Sequence, residues 1–249
     1  MITGNYKFIT LMTISLAVLT ACKGTESSIS GKALDSMRGK KAATEARLST
    51  AAAEAIAQGK TDEAVSHFSK LYKSDSKNPD AALNYAQVLR KTGEIEQAHG
   101  VLSPFTVAKK NKSISPVLLN EYAAIQIQMG NLSGAEETLS RVLDDKEALD
   151  LHADAYNLLG IVQDARGNHK EAERMFRAAL DGWQGNPTSV MNNLALCLAG
   201  QGLFDESLTT LRKALIMAPD KQEIARNIDL VNNLRNAVIP AAPVKIHKN

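Results

Sequence analysis

The feature that most constrains the fold of this chain is a set of glycines that recur at nearly constant spacing. The intervals between successive members are 34, 37, 37 and 35 residues. Each glycine is followed five residues later by a small side chain and nine residues later by Phe or Leu. The glycines are Gly59, Gly93, Gly130, Gly167 and Gly202. This register predicts five helical hairpins, because a small residue lets two helices approach and a large apolar residue then fills the space between them.

The small positions are Ala64, Ala98, Ala135, Ala172 and Ser207, and the large positions are Phe68, Leu102, Leu139, Phe176 and Leu211. Gly160, seven residues before a turn, lies where two helices are expected to approach closely. The pattern resembles the tetratricopeptide repeat (TPR), whose period is about 34 residues. This resemblance implies an all-α fold, a right-handed superhelical solenoid of about five TPR helix pairs, with an amphipathic C-terminal capping helix over the last pair.

The first 21 residues are expected to form a lipoprotein signal peptide. A short segment ending at Lys7 precedes the apolar residues 8–21, which are too few to span a bilayer. The following sequence LTAC, ending at Cys22, is similar to the lipobox of bacterial lipoproteins. That family carries acyl chains such as palmitate on this cysteine, and two or more chains anchor a protein firmly. Lys23 after the cysteine implies, by the family's sorting rule, an outer-membrane lipoprotein facing the periplasm rather than an inner-membrane one; an ordinary secretory signal with an unrelated cysteine is the alternative.

Composition predicts the remaining boundaries. Residues 22–43 are rich in Gly, Ser and Lys and are expected to form the lipidated N-terminus and a flexible tether. The TPR solenoid is assigned to residues 44–236, and residues 237–249, which contain two prolines, are expected to be a disordered tail. Pro104 is expected to end or kink the helix in which it lies, with a local break between residues 104 and 115.

The residues give no sign of catalysis or of nucleic-acid binding. Lys and Arg total 29 against 27 Asp and Glu, so the net charge of +2 supports no electrostatic attraction to nucleic acid. The five histidines have no metal-ligand spacing with a cysteine or carboxylate, and no nucleotide-binding or hydrolase motif occurs. Cys197 falls on the apolar face of a helix and is expected to be a buried, inert thiol. We therefore expect no enzyme activity, no cofactor, no metal and no small-molecule substrate.

A recurrent asparagine is the strongest candidate for a binding site. Asparagines stand nine or ten residues before most of the turn glycines, and another occupies the comparable place in the last helix. An amide both donates and accepts hydrogen bonds, so it can hold the backbone of an extended peptide in the groove of a TPR solenoid. Bonds to neighbouring helices, or simple exposure to water, are the alternative. The candidate peptide-groove residues are Asn84, Asn120, Asn157, Asn192, Asn193 and Asn227.

The repeat units NLLGIVQDARGNHKEAERMFRAAL and MNNLALCLAGQGLFDESLTTLRKAL, with the lipobox before them, resemble the TadD family. Those proteins are TPR lipoproteins of the tight-adherence (Flp) pilus machinery. The resemblance implies a membrane-anchored adaptor that assembles or localises the pilus secretion apparatus, acting like a pilotin on its secretin or on other pilus components. Another periplasmic TPR lipoprotein adaptor, such as a type IV pilus pilotin or a scaffold for cell-wall enzymes, is the main alternative, and an enzyme is the third hypothesis.

Overall fold

The computed structural model describes residues 28–107 and 114–238, with side chains of the first helix described from Gly39. Over these residues the chain is helical, with eleven α-helices and two short 3-10 helices at Ser103–Phe105 and Leu149–Leu151. The α-helices are α1 (Ser28–Ala57), α2 (Thr61–Ser74), α3 (Pro79–Thr92), α4 (Ile95–Leu102), α5 (Pro116–Gln128), α6 (Leu132–Leu143), α7 (His152–Ala165), α8 (His169–Gly182), α9 (Thr188–Gly200), α10 (Phe204–Met217) and α11 (Gln222–Val238).

The predicted turn glycines separate the two helices of every pair. All five have positive φ, between 69° and 90°, which an L-residue adopts only at a cost. The residue after each glycine donates its N–H to the carbonyl oxygen five residues back, as Asn168 does to Gln163 at 2.9 Å. This bond is the one that closes a helix with a left-handed glycine beyond its end, so the glycines fix where each first helix stops. The prediction of an all-helical chain built from five TPR-like pairs is confirmed.

The small and large positions form the core of each pair. The five small residues are fully buried, and the large residues are at most 6% exposed. Gly160 of α7 lies directly against the ring of Phe176 of α8, since a Cβ built on Gly160 would be 2.5 Å from the nearest ring carbon. The close approach predicted at this glycine is therefore confirmed.

The chain divides into two compact units, residues 1–101 and 102–249. In the first unit α2 packs against α1 and α3, and the rings of Tyr72 and Tyr85 meet at 5.8 Å between centroids. In the second unit each helix from α5 to α11 packs against the next, and α7 also contacts α5 and α9. This arrangement places the first helices of successive pairs side by side, which is where the candidate asparagines lie.

The C-terminal helix α11 covers the last pair, as predicted. Ile224 and Val231 are buried in one cluster with residues of α9 and α10, and Ile228 packs at its edge. Leu234, which follows Val231 at helical spacing, is 44% exposed, so the buried face ends before it. The helix ends at Val238, so the first two residues of the expected tail 237–249 are helical and the others lie outside the described residues.

The N-terminal boundary differs from the prediction. α1 begins at Ser28 and runs through residues 28–43, where we expected a flexible tether. Ala, Lys, Arg and Glu dominate residues 40–47, and no proline interrupts residues 28–57, so helix propensity favours continuing the first repeat helix backwards. The expected signal peptide 1–21 and Cys22 lie outside the described residues.

Pro104 acts as predicted. α4 stops at Leu102 after only eight residues, and the 3-10 helix at Ser103–Phe105 places Pro104 in its first turn, where its missing N–H costs nothing. The lysines that follow, Lys109, Lys110 and Lys112, lie outside the described part of the chain. Among the helices that the structure describes, none combines the length and apolar character that a bilayer-crossing segment requires.

Candidate functional site

Five of the six candidate asparagines form an inter-repeat ladder, which we define as Asn120, Asn157, Asn192, Asn193 and Asn227. The Nδ2 of Asn193 on α9 donates to the Oδ1 of Asn157 on α7 at 3.1 Å. The Nδ2 of Asn227 on α11 donates to the Oδ1 of Asn192 at 2.7 Å. The Nδ2 of Asn120 on α5 donates to the backbone oxygen of Leu151 at 3.3 Å. These bonds therefore join α7 to α9 and α9 to the capping helix α11, and they tie α5 to the 3-10 helix that precedes α7.

Burial decides how much of the ladder a partner could reach. Asn120, Asn157 and Asn192 are 8%, 3% and 7% exposed, so their side chains lie within the helix–helix contacts. Asn193 and Asn227 are half-buried, as is Asn84 on α3 in the first unit. The structure thus shows the alternative anticipated above, bonds to neighbouring helices, for the ladder members. Contact with a peptide stays a prediction, and the half-buried asparagines have the surface for it.

One helical turn before three of the ladder asparagines, each helix carries a side chain of a different chemical type. They lie three residues before Asn120, Asn157 and Asn192, hence on the same helix faces. Val117 is 41% exposed, and Asp154 and Ser189 are half-buried. The Oγ of Ser189 is 3.5 Å from the Nζ of Lys221, so a basic group adjoins the last of the three. We call Val117, Asp154 and Ser189 the flanking row.

Asp154 is the most perturbed acid in the described part of the chain. Burial raises the pKa of its carboxyl to about 6, and the negative charge of Asp150 contributes to the rise. A carboxyl held out of water beside a second acid is poised to pair with a positive or hydrogen-bond-donating group of a ligand. Perturbed acids of this kind are enriched at functional sites.

A second set of polar contacts joins successive pairs near their turns. Glu136 on α6 accepts from the Nε2 of Gln163 at 3.0 Å and from the guanidinium of Arg166 at 2.7 Å. One repeat later, Glu173 on α8 accepts from the Nε2 of Gln201 at 2.9 Å. The pKa of Glu173 is lowered, with the Gln201 bond as the first cause. These bonds fix the spacing of pairs, and the partly exposed charged members contribute little individually.

Asp164, His169 and Cys197 meet beside this second set. The Nδ1 of His169 is 2.7 Å from the Oδ1 of Asp164 across the Gly167 turn. The thiol of Cys197 on α9 donates to the backbone oxygen of His169 at 3.1 Å. One side-chain ligand atom from each residue lies within 4.8 Å of the other two. Burial raises the pKa of the Cys197 thiol to about 12, and the Asp164 carboxylate adds to the shift.

Sequence reasoning missed this group, which we call the Asp–His–Cys cluster. The expectation of a buried thiol at Cys197 is confirmed, since the residue is fully buried. The spacing along the sequence indicated no metal-ligand set for any histidine, yet the fold brings a carboxylate and a thiol close to His169. Asp164 and His169 lie on either side of the turn glycine Gly167, so the sequence did indicate that these two residues are close. The third comes from the next repeat, and only the packing of α8 on α9 brings it near.

Comparison with known proteins gives the family. Two tetratricopeptide-repeat sequence profiles match residues 55–113 and 115–184, together more than half of the chain. A TPR repeat-containing protein of Methanocaldococcus jannaschii is 26% identical over 206 residues, 76% of this chain and 35% of that protein. The chain therefore spans about a third of that relative. The chain belongs to the tetratricopeptide-repeat family, whose fold serves as a protein-interaction scaffold.

Solved structures show the same fold. A thermophilic TPR protein of Thermus thermophilus matches with a TM-score of 0.66 and 18% identity, covering 76% of this chain and 99% of that one. PilF of Pseudomonas aeruginosa matches with a TM-score of 0.55 and 15% identity, covering 82% and 95% of the two chains. At these identities the similarity concerns the fold.

Proposed function

We propose that this chain is a lipid-anchored TPR adaptor of the bacterial envelope that helps to assemble or localise a tight-adherence (Flp) pilus secretion apparatus. The observation that carries the proposal is the lipobox-like LTAC ending at Cys22, placed before a chain of TPR pairs. Acyl chains on Cys22 hold the protein at the outer membrane, facing the periplasm. The repeats then act on a partner there, a secretin or another pilus component.

The flanking row is the surface we assign to this partner. Four of the ladder amides bond one another in two pairs and Asn120 bonds a backbone oxygen, so these amides hold the helices in register and have fewer groups left for a partner. Val117, Asp154 and Ser189 lie one turn away on the same faces and present an apolar, an acidic and a hydroxyl side chain in succession. Such a row can distinguish partner sequences, because each position prefers a different chemistry.

The anchor is tested by metabolic labelling with palmitate. The chain has two cysteines, so Cys22→Ser is compared with the matched variant Cys197→Ser. We expect label on the wild type and on Cys197→Ser, and none on Cys22→Ser. Label that persists on Cys22→Ser, or a wild type without label, contradicts the anchor.

The partner is tested in cells that assemble the pilus. Deletion of the gene is expected to reduce secretin multimers in the outer membrane, and Asp154→Asn is expected to restore them less well than the wild type. The matched control is Glu137→Gln, an exposed acid on α6 outside the flanking row. Normal secretin multimers in the deletion strain would contradict the pilus assignment while leaving the anchor intact.

A second candidate is another periplasmic TPR lipoprotein adaptor, such as a type IV pilus pilotin or a scaffold for cell-wall enzymes. The fold similarity to PilF, a pilus-related TPR protein, supports the former. Affinity capture of the lipidated protein from envelope extracts separates the candidates. Co-purification of a Flp secretin supports the first, and a type IV pilus secretin or a cell-wall enzyme supports the second.

A further inference from the structure

The Asp–His–Cys cluster combines three side chains that all bind borderline transition metals. A carboxylate oxygen, an imidazole nitrogen and a thiol sulfur lie within 4.8 Å of one another. They come from three helices, the end of α7, the start of α8 and the C-terminal half of α9. Neither the family nor the proposed adaptor role requires such a group, because the TPR packing pattern is complete without it.

We propose that Asp164, His169 and Cys197 form a binding site for one divalent transition-metal ion of the Zn²⁺ type. Thiolate and imidazole together select Zn²⁺ over Mg²⁺ and Ca²⁺, which prefer oxygen ligands. Three protein ligands leave a fourth tetrahedral position for water or for a group of a bound partner.

The distances between the three ligand atoms suit a Zn²⁺ ion if the side chains move slightly closer together. Zn²⁺ binds sulfur at about 2.3 Å and nitrogen or oxygen at about 2.0–2.2 Å, so ligand atoms around it stand roughly 3.5 Å apart. The side chains of His169 and Asp164 are 36% and 33% exposed and can rotate toward the buried sulfur. The imidazole rests against Gly200, where a Cβ would lie 3.3 Å from the ring, so the missing side chain leaves room for it.

His169 is the member of the cluster that borders solvent in a surface depression, and the fully buried Cys197 lies behind it. His169 and Gln201 line an open surface depression of ≈ 590 Å³ at the start of α8. The Nε2 of Gln201 lies 3.9 Å from the sulfur of Cys197 and is bonded to Glu173. This arrangement supplies a polar second layer around the ligands, of the type that orients ligands in metal sites.

Binding must displace the thiol proton. In the metal-free protein Cys197 donates its S–H to the carbonyl oxygen of His169. On binding, a metal–sulfur bond forms, the S–H bond breaks, and the proton leaves to solvent or buffer; the metal keeps its charge of +2 and no electron is transferred. Binding therefore releases protons and strengthens with rising pH.

The bound ion would tie the fourth repeat pair to the fifth. Asp164 and His169 belong to the α7–α8 pair, whereas Cys197 belongs to the α9–α10 pair. A ligand that binds only the folded protein stabilises it in proportion to the logarithm of its concentration over Kd. We expect the melting temperature to rise with Zn²⁺ concentration.

The site is tested on the full chain carrying Cys22→Ser, so that Cys197 is the only thiol. Zn²⁺ is titrated by calorimetry and Co²⁺ by absorption, where a thiolate ligand produces a sulfur-to-cobalt charge-transfer band. Cys197→Ser, His169→Gln and Asp164→Asn are each compared with this reference. The matched control is His152→Gln, a half-buried histidine at the start of α7 that bonds a backbone oxygen instead.

We expect one ion per chain, a charge-transfer band, and proton release that a series of buffers with different ionisation enthalpies reveals. Each ligand variant should weaken binding by at least about tenfold, and Cys197→Ser should also abolish the band. His152→Gln should bind as the reference does. Circular dichroism without metal checks folding, and the two partly exposed ligands, His169 and Asp164, provide variants that leave the buried thiol in place.

Two results overturn the proposal. One is a reference protein that binds Co²⁺ without a charge-transfer band or does not bind Zn²⁺ at all. The other is a folded His169→Gln variant whose affinity for Zn²⁺ equals that of the reference. Neither result bears on the palmitate label or on secretin multimers, so the adaptor proposal is judged separately.

Discussion

The contact between Gly160 and Phe176 gives the sharpest test of how the repeat pairs are packed. In Gly160→Ala the new Cβ would lie 2.5, 2.6 and 2.9 Å from three carbons of the Phe176 ring. Carbon atoms prefer separations of about 3.5–4.0 Å, so the ring or the helix must move. Phe176 is 1% exposed, so its ring lies inside the packed core. The substitution therefore forces two packed helices apart.

The magnitude follows from two opposing effects. Overpacking a rigid site costs about 3 kcal/mol at the upper end of its usual range, whereas replacing glycine by alanine in a helix gains about 1 kcal/mol. The net loss in the free energy of unfolding is about 2 kcal/mol. In a domain of this size that lowers the melting temperature by about 4–8 °C.

The assay is thermal and urea unfolding followed by circular dichroism. The matched control is Gly100→Ala in α4, because a Cβ there meets no atom within 4 Å and the backbone is helical. It should stabilise the protein by up to about 1 kcal/mol. In Gly160→Ala with Phe176→Leu, the smaller side chain should remove part of the strain, giving a favourable coupling of about 1 kcal/mol. If Gly160→Ala instead stabilises the protein like the control, or the coupling is zero, the close-packing argument fails.

Three further substitutions test the other contacts by urea unfolding. Asn157→Ala removes the acceptor of Asn193 and should lower the free energy of unfolding by about 1–2 kcal/mol. The control Asn233→Ala, at an exposed position, should change it little. Equal effects of the two substitutions would contradict the ladder. Asp154→Asn should raise stability at pH 7 by about 1–3 kcal/mol and flatten its pH dependence. Since the folded pKa is raised from 3.8 to about 6, wild-type stability should fall as pH rises through this window, and a rise would refute the assignment. Ser207→Ala introduces the side chain found at this position in the other repeats. It removes a 2.6 Å hydrogen bond to a helix carbonyl but should change the free energy of unfolding by less than about 1 kcal/mol. A larger loss would show that the hydroxyl is needed.

The sequence determined the repeat fold more completely than the candidate site. Each turn glycine and the residues five and nine positions after it act within one hairpin, so their spacing alone predicts their contacts. Gly160 and Pro104 were predictable for the same reason, because close approach and helix termination are local effects. The start of α1 was not, since a segment with glycines and serines can continue a helix when its other residues favour one.

The side-chain partners between repeats could not be read from the sequence. Asn193 bonds Asn157 rather than solvent because α7 and α9 lie at a particular rotation and offset. The same is true of Cys197, which reaches His169 only after α9 packs on α8. Spacing identifies residues on a common helix face, but it does not fix which atoms of two helices come within hydrogen-bonding distance.

The uneven repeat interval has a practical consequence for altering this chain. Within every hairpin the distances from glycine to the small and large residues are constant, and the extra residues of the 37-residue intervals fall between one hairpin and the next. Length can therefore be added at the exposed residues Lys146 and Glu147, which lie between two hairpins, without inserting into either one. An insertion between Gly167 and Ala172 would instead rotate α8 relative to α7 and break the contacts between them. The junctions between hairpins are therefore the sites where a loop, a tag or a new recognition segment can be inserted, in evolution as in protein engineering.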